Sequence, residues 1–81
     1  MPAESPEFSV YEFYPDGHHT AVKRFVSPRE AVEAAHGCTR KPAVALGAIK
    51  RVIITDGGDQ CVFEWTLADG ITFPPEARGR R

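Results

Sequence analysis

Two mostly apolar segments on either side of a turn, residues 8–14 and 18–26, predict a β-hairpin near the start of the chain. Residues 8–14 are rich in aromatic and β-branched side chains, which is typical of a strand, and residues 18–26 form the return strand. Between them, the proline and glycine of Pro15-Asp16-Gly17 favour a three-residue loop with a bulge at the glycine. The loop predicts the register: Tyr14 lies opposite His18, Val10 opposite Val22, and Tyr11 opposite Ala21.

A capping box predicts where the main helix begins. Ser27 suits the N-cap, Pro28 suits the first helical position, and Glu30 can reach back to the Ser27 amide. The helix is expected to run to about His36 and to end at Gly37, because glycine is the residue that most often follows a helix.

A second hairpin is predicted from two β-branched segments, residues 49–55 and 60–67, which flank the tight turn Asp-Gly-Gly-Asp at 56–59. The predicted register places Thr55 opposite Gln60, Val52 opposite Phe63, and Arg51 opposite Glu64 as an opposite-charge pair. One face then carries Lys50, Val52, Ile54, Cys61, Phe63 and Trp65, and the other carries Ile49, Arg51, Ile53, Val62 and Glu64.

These elements predict a small α+β domain. After a turn at 68–70, residues 71–73 form a short final strand, and residues 42–46 form a short turn or helix. The order is β-β-α-β-β-β, an antiparallel sheet of two hairpins and a final strand with one main helix packed on one face. Residues 8–75 are the expected domain, and residues 1–7 and the arginine-rich residues 76–81 are expected to be flexible tails.

Both sheet faces carry apolar side chains, although one short helix can cover only one of them. An uncovered apolar face usually marks an interaction surface, so we expect a homodimer or a protein partner. The alternative is that residues 42–46 and the tails cover this face. The candidate interface residues are Phe8, Val10, Tyr11, Phe13, Tyr14, Ile53, Val62 and Trp65, although the simplest role of Trp65 is that of a core residue.

Charge makes nucleic-acid binding the weaker alternative. Ten Lys and Arg are balanced by eleven Asp and Glu, for a net charge of −1, whereas domains that bind phosphate backbones usually carry excess positive charge. A weak binder would combine the aromatic side chains of the sheet with basic residues, for which the candidates are Lys23, Arg24, Lys50, Arg51, Arg78, Arg80 and Arg81.

No catalytic or metal-binding motif emerges from the remaining polar residues. The groups considered are Cys38, Cys61, His18, His19, His36, Asp56, Asp59 and Glu64, and their spacings match no nucleophile or metal motif. Cys61 is expected to be a core thiol, and Arg51 accounts for Glu64. We therefore expect no enzyme, metal or cofactor. Without a visible export signal, both cysteines are expected to be free thiols in the cytoplasm. The sequence thus favours a small, non-enzymatic, self-associating interaction module.

Overall fold

The structure is a computed structural model that describes residues 7–73, so the predicted tails lie outside the described residues except for Glu7. Five strands and two helices follow in the order β1 (Phe8–Phe13), β2 (His19–Val26), α1 (Pro28–Thr39), α2 (Pro42–Ala45), β3 (Arg51–Thr55), β4 (Cys61–Thr66) and β5 (Gly70–Phe73). The strands form one antiparallel sheet in the order β2-β1-β3-β4-β5. The α+β class with one main helix is confirmed, as is the short helix after it.

The first hairpin loop has the predicted form. The Tyr14 amide donates to the His18 carbonyl at 2.9 Å, and the Gly17 amide donates to the Tyr14 carbonyl at 3.0 Å. Gly17 has a φ of 92°, a left-handed conformation that side chains with a Cβ resist. The local backbone preferences of proline and glycine therefore favour this loop.

Bulges change the register beyond that loop. Tyr11 lies opposite Ala21 as predicted, but Val10 lies opposite Lys23 rather than Val22, because a bulge on each side of Val10 shifts the pairing. The bulged strand also bends, which re-aims its side chains. At its end, Phe25 takes a φ of 57° and is 70% exposed.

The predicted register of the second hairpin is also wrong. Val52 pairs with Trp65 rather than Phe63, and Thr55 pairs with Cys61 rather than Gln60. The loop has three residues and closes through an Asp59 with a φ of 63°, and a bulge follows in β4. The combined shift is two residues from Phe63 onward, so Phe63 and Trp65 keep their predicted face.

Helix α1 is longer than predicted. The capping box is present: the Glu30 amide donates to Ser27 Oγ and the Ser27 amide donates to Glu30 Oε1, both at 3.2 Å. Gly37, however, lies inside the helix, which continues to Thr39. The extra turn buries Cys38 against the core, and such packing outweighs the low helix propensity of glycine.

The core is thin. Its largest fully buried side chains are Val10, Val52 and Cys38. The chain has one Trp, two Tyr and five Phe, all within residues 7–73, and none of them is fully buried there. The bulkiest apolar side chains therefore lie around the core rather than inside it.

Candidate interaction surface on the uncovered sheet face

Both helices lie on the same side of the sheet. Helix α1 contacts β1, β2 and β3, and its buried residues form one cluster with Val10, Val52 and Ile54. Ala43 and Val44 of α2 pack against the same cluster. The prediction that residues 42–46 cover the opposite face is therefore wrong. The tails, which were the other predicted cover, lie outside residues 7–73. Within the described chain, the second face has no helix on it.

A row of side chains, one from each strand, crosses this uncovered face. It comprises His19, Phe13, Arg51, Glu64 and Thr72, in the spatial order of the strands. The His19 and Phe13 rings stack with centroids 5.1 Å apart, and the Arg51 guanidinium lies 4.8 Å from the centre of the Phe13 ring. We call this set the cross-sheet row, and it holds each side chain against its neighbours.

The positive charge in the cross-sheet row has an acidic partner. Arg51 Nε donates to Glu64 Oε2, and Thr72 Oγ1 donates to Glu64 Oε1 at 2.6 Å. The hydrogen bond from Thr72 lowers the pKa of Glu64, and the hydrogen bond and positive charge of Arg51 lower it further. The pKa of Glu64 therefore stays below its usual value although the side chain is partly buried. The sequence correctly pairs Arg51 with Glu64, but the contact is diagonal, because Glu64 lies directly opposite Ile53. The face is thus close to electrically neutral.

Apolar side chains next to the cross-sheet row complete the surface. Tyr11 pairs with Ile53 in the register, and its ring meets the His19 ring edge-on at 5.8 Å between centroids. Val62 is 37% exposed, whereas Ile53 is only 9% exposed and contributes little accessible surface. We call Tyr11, Phe13, Ile53 and Val62 the open-face patch. It contains four of the eight interface residues predicted from the sequence.

The other four predicted interface residues lie on the helix side. Val10 is completely buried, so it has no surface with which to contact a partner. Phe8, Tyr14 and Trp65 are half-buried against the core cluster. Alternation along the strands separates the two groups, since successive side chains of a strand point to opposite faces.

Two residues do not lie where the sequence predicted. Ile49 was expected beside Ile53, but it belongs to the core because β3 begins only at Arg51 and Ile49 precedes the strand alternation. Cys61 was expected in the core, but it is exposed because a bulge places it opposite Thr55. Its Sγ lies 3.2 Å from the Phe63 carbonyl.

The basic residues considered for nucleic-acid binding do not form one patch. Lys23 and Arg24 are exposed on the edge strand β2, where Lys23 pairs with Val10, whereas Arg51 pairs with the far end of β1 at Phe13. Lys50 is exposed next to Arg51. Three further candidates, Arg78, Arg80 and Arg81, lie outside the described residues.

A polar cluster on the helix side was missed by the sequence analysis. Glu12 of β1 is 5% exposed, accepts a hydrogen bond from Lys41 Nζ, and accepts another from the Tyr14 hydroxyl at 3.3 Å. Burial raises the pKa of Glu12, but hydrogen bonds from Lys41, Cys38 and Tyr14 outweigh it and hold that pKa below its usual value. Glu12 and Lys41 are far apart in sequence, so no local pattern could have indicated their contact.

The same cluster makes the Cys38 thiol unreactive. Burial and the nearby Glu12 carboxylate raise the pKa of Cys38 to about 12. The thiolate, which is the nucleophilic form, is therefore scarce at neutral pH. Cys38 and Cys61 are both free thiols.

Two aspartates stabilise the hairpin loops through their side chains. Asp56 Oδ1 accepts hydrogen bonds from the Gly58 and Gln60 amides, which stabilises the second hairpin loop. Asp16 does the same for the first loop, accepting from the His18 amide at 2.9 Å. Across residues 7–73, no three His, Cys, Asp or Glu side chains come close enough to hold a metal ion.

The described helices are all too short or too polar to cross a membrane. Comparison of the chain with protein-family models, with curated proteins and with solved structures found no significant match to any of them. The argument for function therefore depends on the uncovered sheet face itself.

Proposed function

We propose that the protein is a non-enzymatic interaction module that forms a homodimer through the open-face patch. The observation that carries the proposal is the apolar centre of a sheet face that no described helix covers. Contiguous apolar surface of this kind is the usual mark of an interface. A cytoplasmic location is part of the proposal, and the two free thiols support it, because disulfides are rare in reducing compartments.

The thin core is a second argument for association. A single core in a domain of this size supplies only about 3–5 kcal/mol, and small domains often gain the rest by binding another chain. Here the aromatic side chains are half-buried or exposed in the described chain. Burial of apolar surface is worth about 25 cal/mol per Å², so covering the rings of Tyr11 and Phe13 would stabilise the fold directly.

The charge pattern favours a second copy of this chain as the partner. In a two-fold dimer the same patch from each copy faces its equivalent. The Arg51–Glu64 pair offers both signs of charge next to the apolar centre, so a rotated copy can bring opposite charges together. A partner with strong net charge of either sign would find no excess of the opposite charge on this face.

Binding of single-stranded nucleic acid is the second candidate. Tyr11 and Phe13 lie side by side with Arg51 on an accessible sheet face, and exposed aromatic rings can stack on bases. The Glu64 partner of Arg51 and the net charge of −1 weaken the attraction to phosphates. Filter binding at low salt tests this candidate, and no retained DNA or RNA would dismiss it.

Light scattering across a concentration series tests the homodimer. We expect a dimer that dissociates only at low micromolar concentration. Val62→Arg places a charge in the open-face patch and should yield a monomer. Val32→Arg makes the same change on α1, where Val32 is 53% exposed, and should leave the dimer intact. A wild-type monomer at high micromolar concentration would rule out the proposal, as would equal effects of the two substitutions.

A further inference from the structure

A small pocket lies at the end of the sheet where the first hairpin loop meets the start of β3. It has a volume of about 240 Å³, and its wall includes Phe13, Tyr14, Pro15, Lys50, Arg51 and Ala68. Backbone hydrogen bonds hold these segments together: the Lys50 amide donates to the Phe13 carbonyl at 2.8 Å, and the Leu67 amide donates to the Lys50 carbonyl at 2.9 Å. The pocket is therefore formed before any ligand arrives.

Three of the eight residues that line the pocket carry rings. Phe13, Tyr14 and Pro15 follow one another from the end of β1 into the loop. The Phe13 ring is fixed by His19 and by the Arg51 guanidinium, and the Tyr14 hydroxyl is fixed by its hydrogen bond to Glu12. Because these side chains are held in place, an apolar group can pack against the pocket wall with little loss of side-chain freedom.

The charged groups of the wall are both cations. No Asp or Glu lines the pocket, and Lys50 makes no ion pair with any carboxylate of residues 7–73. The charge of Arg51 is already matched by Glu64. Lys50 is thus an uncompensated positive charge in the wall of a mostly apolar pocket, an arrangement that favours a negative group attached to an apolar body.

We propose that this pocket binds a small planar organic anion of the aromatic monocarboxylate class. The apolar body of this ligand lies against Phe13, Tyr14 and Pro15, and the carboxylate of the ligand faces Lys50. The volume is below the range of about 300–1,000 Å³ that is usual for drug-sized ligands, so it accommodates one or two rings. The pocket shares Phe13 with the open-face patch, whereas Lys50 and Ala68 lie outside it, so the two proposals are separated by testing a variant that does not dimerise.

Titration with 2-naphthoate, followed by amide chemical shifts in two-dimensional NMR, tests the proposal. We expect saturable shifts at Gly17, Lys50 and Ala68, with a dissociation constant of about 1 mM for so small a ligand. The neutral 2-naphthylmethanol should bind several-fold more weakly. Equal binding of acid and alcohol, or shifts that do not saturate, would overturn the proposal.

Two pairs of variants locate the site. Lys50→Glu should weaken 2-naphthoate binding about fivefold, whereas Lys23→Glu makes the same charge change on β2 and should have little effect. Ala68→Trp fills the pocket from an exposed turn and should abolish binding, whereas Ala45→Trp on α2 should not. Unchanged binding by Lys50→Glu or Ala68→Trp contradicts the assignment. Repeating the titration in Val62→Arg separates the result from self-association.

Discussion

The ion pair between Lys41 and Glu12 is the interaction whose removal has the most specific consequence. The Glu12 side chain is 6% exposed and the Lys41 side chain is 45% exposed, so only Glu12 is deeply buried. Lys41→Met removes the positive charge but keeps an unbranched apolar chain of similar length. The variant retains the Tyr14 hydroxyl and the Cys38 thiol around Glu12.

The expected cost follows from this asymmetry. Removing one partner of a fully buried pair costs about 3–5 kcal/mol, because the other charge stays buried without compensation. A fully exposed pair is worth about 0–1 kcal/mol. With Lys41 half-exposed, water can reach Glu12 once the lysine is gone, so we expect Lys41→Met to reduce the free energy of unfolding by about 1–2 kcal/mol at pH 7.

Urea unfolding measures this cost. The fluorescence of Trp65 is a suitable probe, because it is the only tryptophan and lies half-buried against the core. With an m-value of about 1 kcal/mol/M, the midpoint should fall by about 1–2 M. Lys50→Met is the control, since it removes the same charge from an exposed site, and it should change stability by less than about 0.5 kcal/mol. Protein concentration is kept constant so that self-association contributes equally.

The pH dependence of the stability difference between wild type and Lys41→Met can refute this reasoning. In the folded wild-type protein the pKa of Glu12 lies below its usual value of 4.5, so its ionised form stabilises the fold. That stabilisation is complete above the unfolded pKa and is lost as the pH falls through the folded pKa. The difference between wild type and Lys41→Met should therefore shrink on acidification to about pH 3. An equal difference at both pH values, or none at pH 7, would refute the reasoning.

Four further outcomes are expected, three from single substitutions and one from the two cysteines. Gly37→Ala should stabilise the protein by about 0.5–1 kcal/mol, because Gly37 is helical and a Cβ there meets nothing within 4 Å. Gly17→Ala should destabilise the protein by about 1 kcal/mol, because Gly17 has a φ of 92°. Thermal melts check both, and equal signs would contradict the argument. Ser27→Ala should cost about 1 kcal/mol through loss of the cap, again by thermal melts, and no change would show that the cap is dispensable. In the native protein a thiol reagent should modify the exposed Cys61 quickly and the buried Cys38, whose pKa is about 12, only on unfolding. Equal rates of modification at the two cysteines would contradict the burial of Cys38.

Features that depend on local chemistry were predictable from the sequence. The Gly17 loop and the Ser27 capping box each involve residues within a few positions of one another, so backbone preference and side-chain type suffice. The grouping of Ile53 with Val62 on one face was also predictable, because strand alternation assigns faces even when the register is wrong by two residues. That Tyr11 joins them was not predictable, because it depends on the pairing of β1 with β3.

Other features depended on contacts that no local pattern contains. The left-handed φ of Asp59 and the bulge in β4 moved the second register, and the loop sequence Asp-Gly-Gly-Asp does not indicate that Asp59 rather than a glycine takes that conformation. Gly37 is a poor helix former, yet packing of the next turn keeps it helical. The contact between Glu12 and Lys41 exists only because the strand order places β1 beside the helices.

The central pairing of β1 with β3 also governs how quickly the chain can fold. Three of the four strand pairs join neighbours in the sequence through short loops, whereas β1 and β3 are separated by β2 and both helices. Hairpins form in about 1–10 μs, but closing the longer segment costs more chain entropy before its contacts compensate. Docking of one hairpin on the other is therefore the slow event. Substitutions at the Tyr11–Ile53 seam should slow refolding, while changes confined to the loop tips mainly speed unfolding.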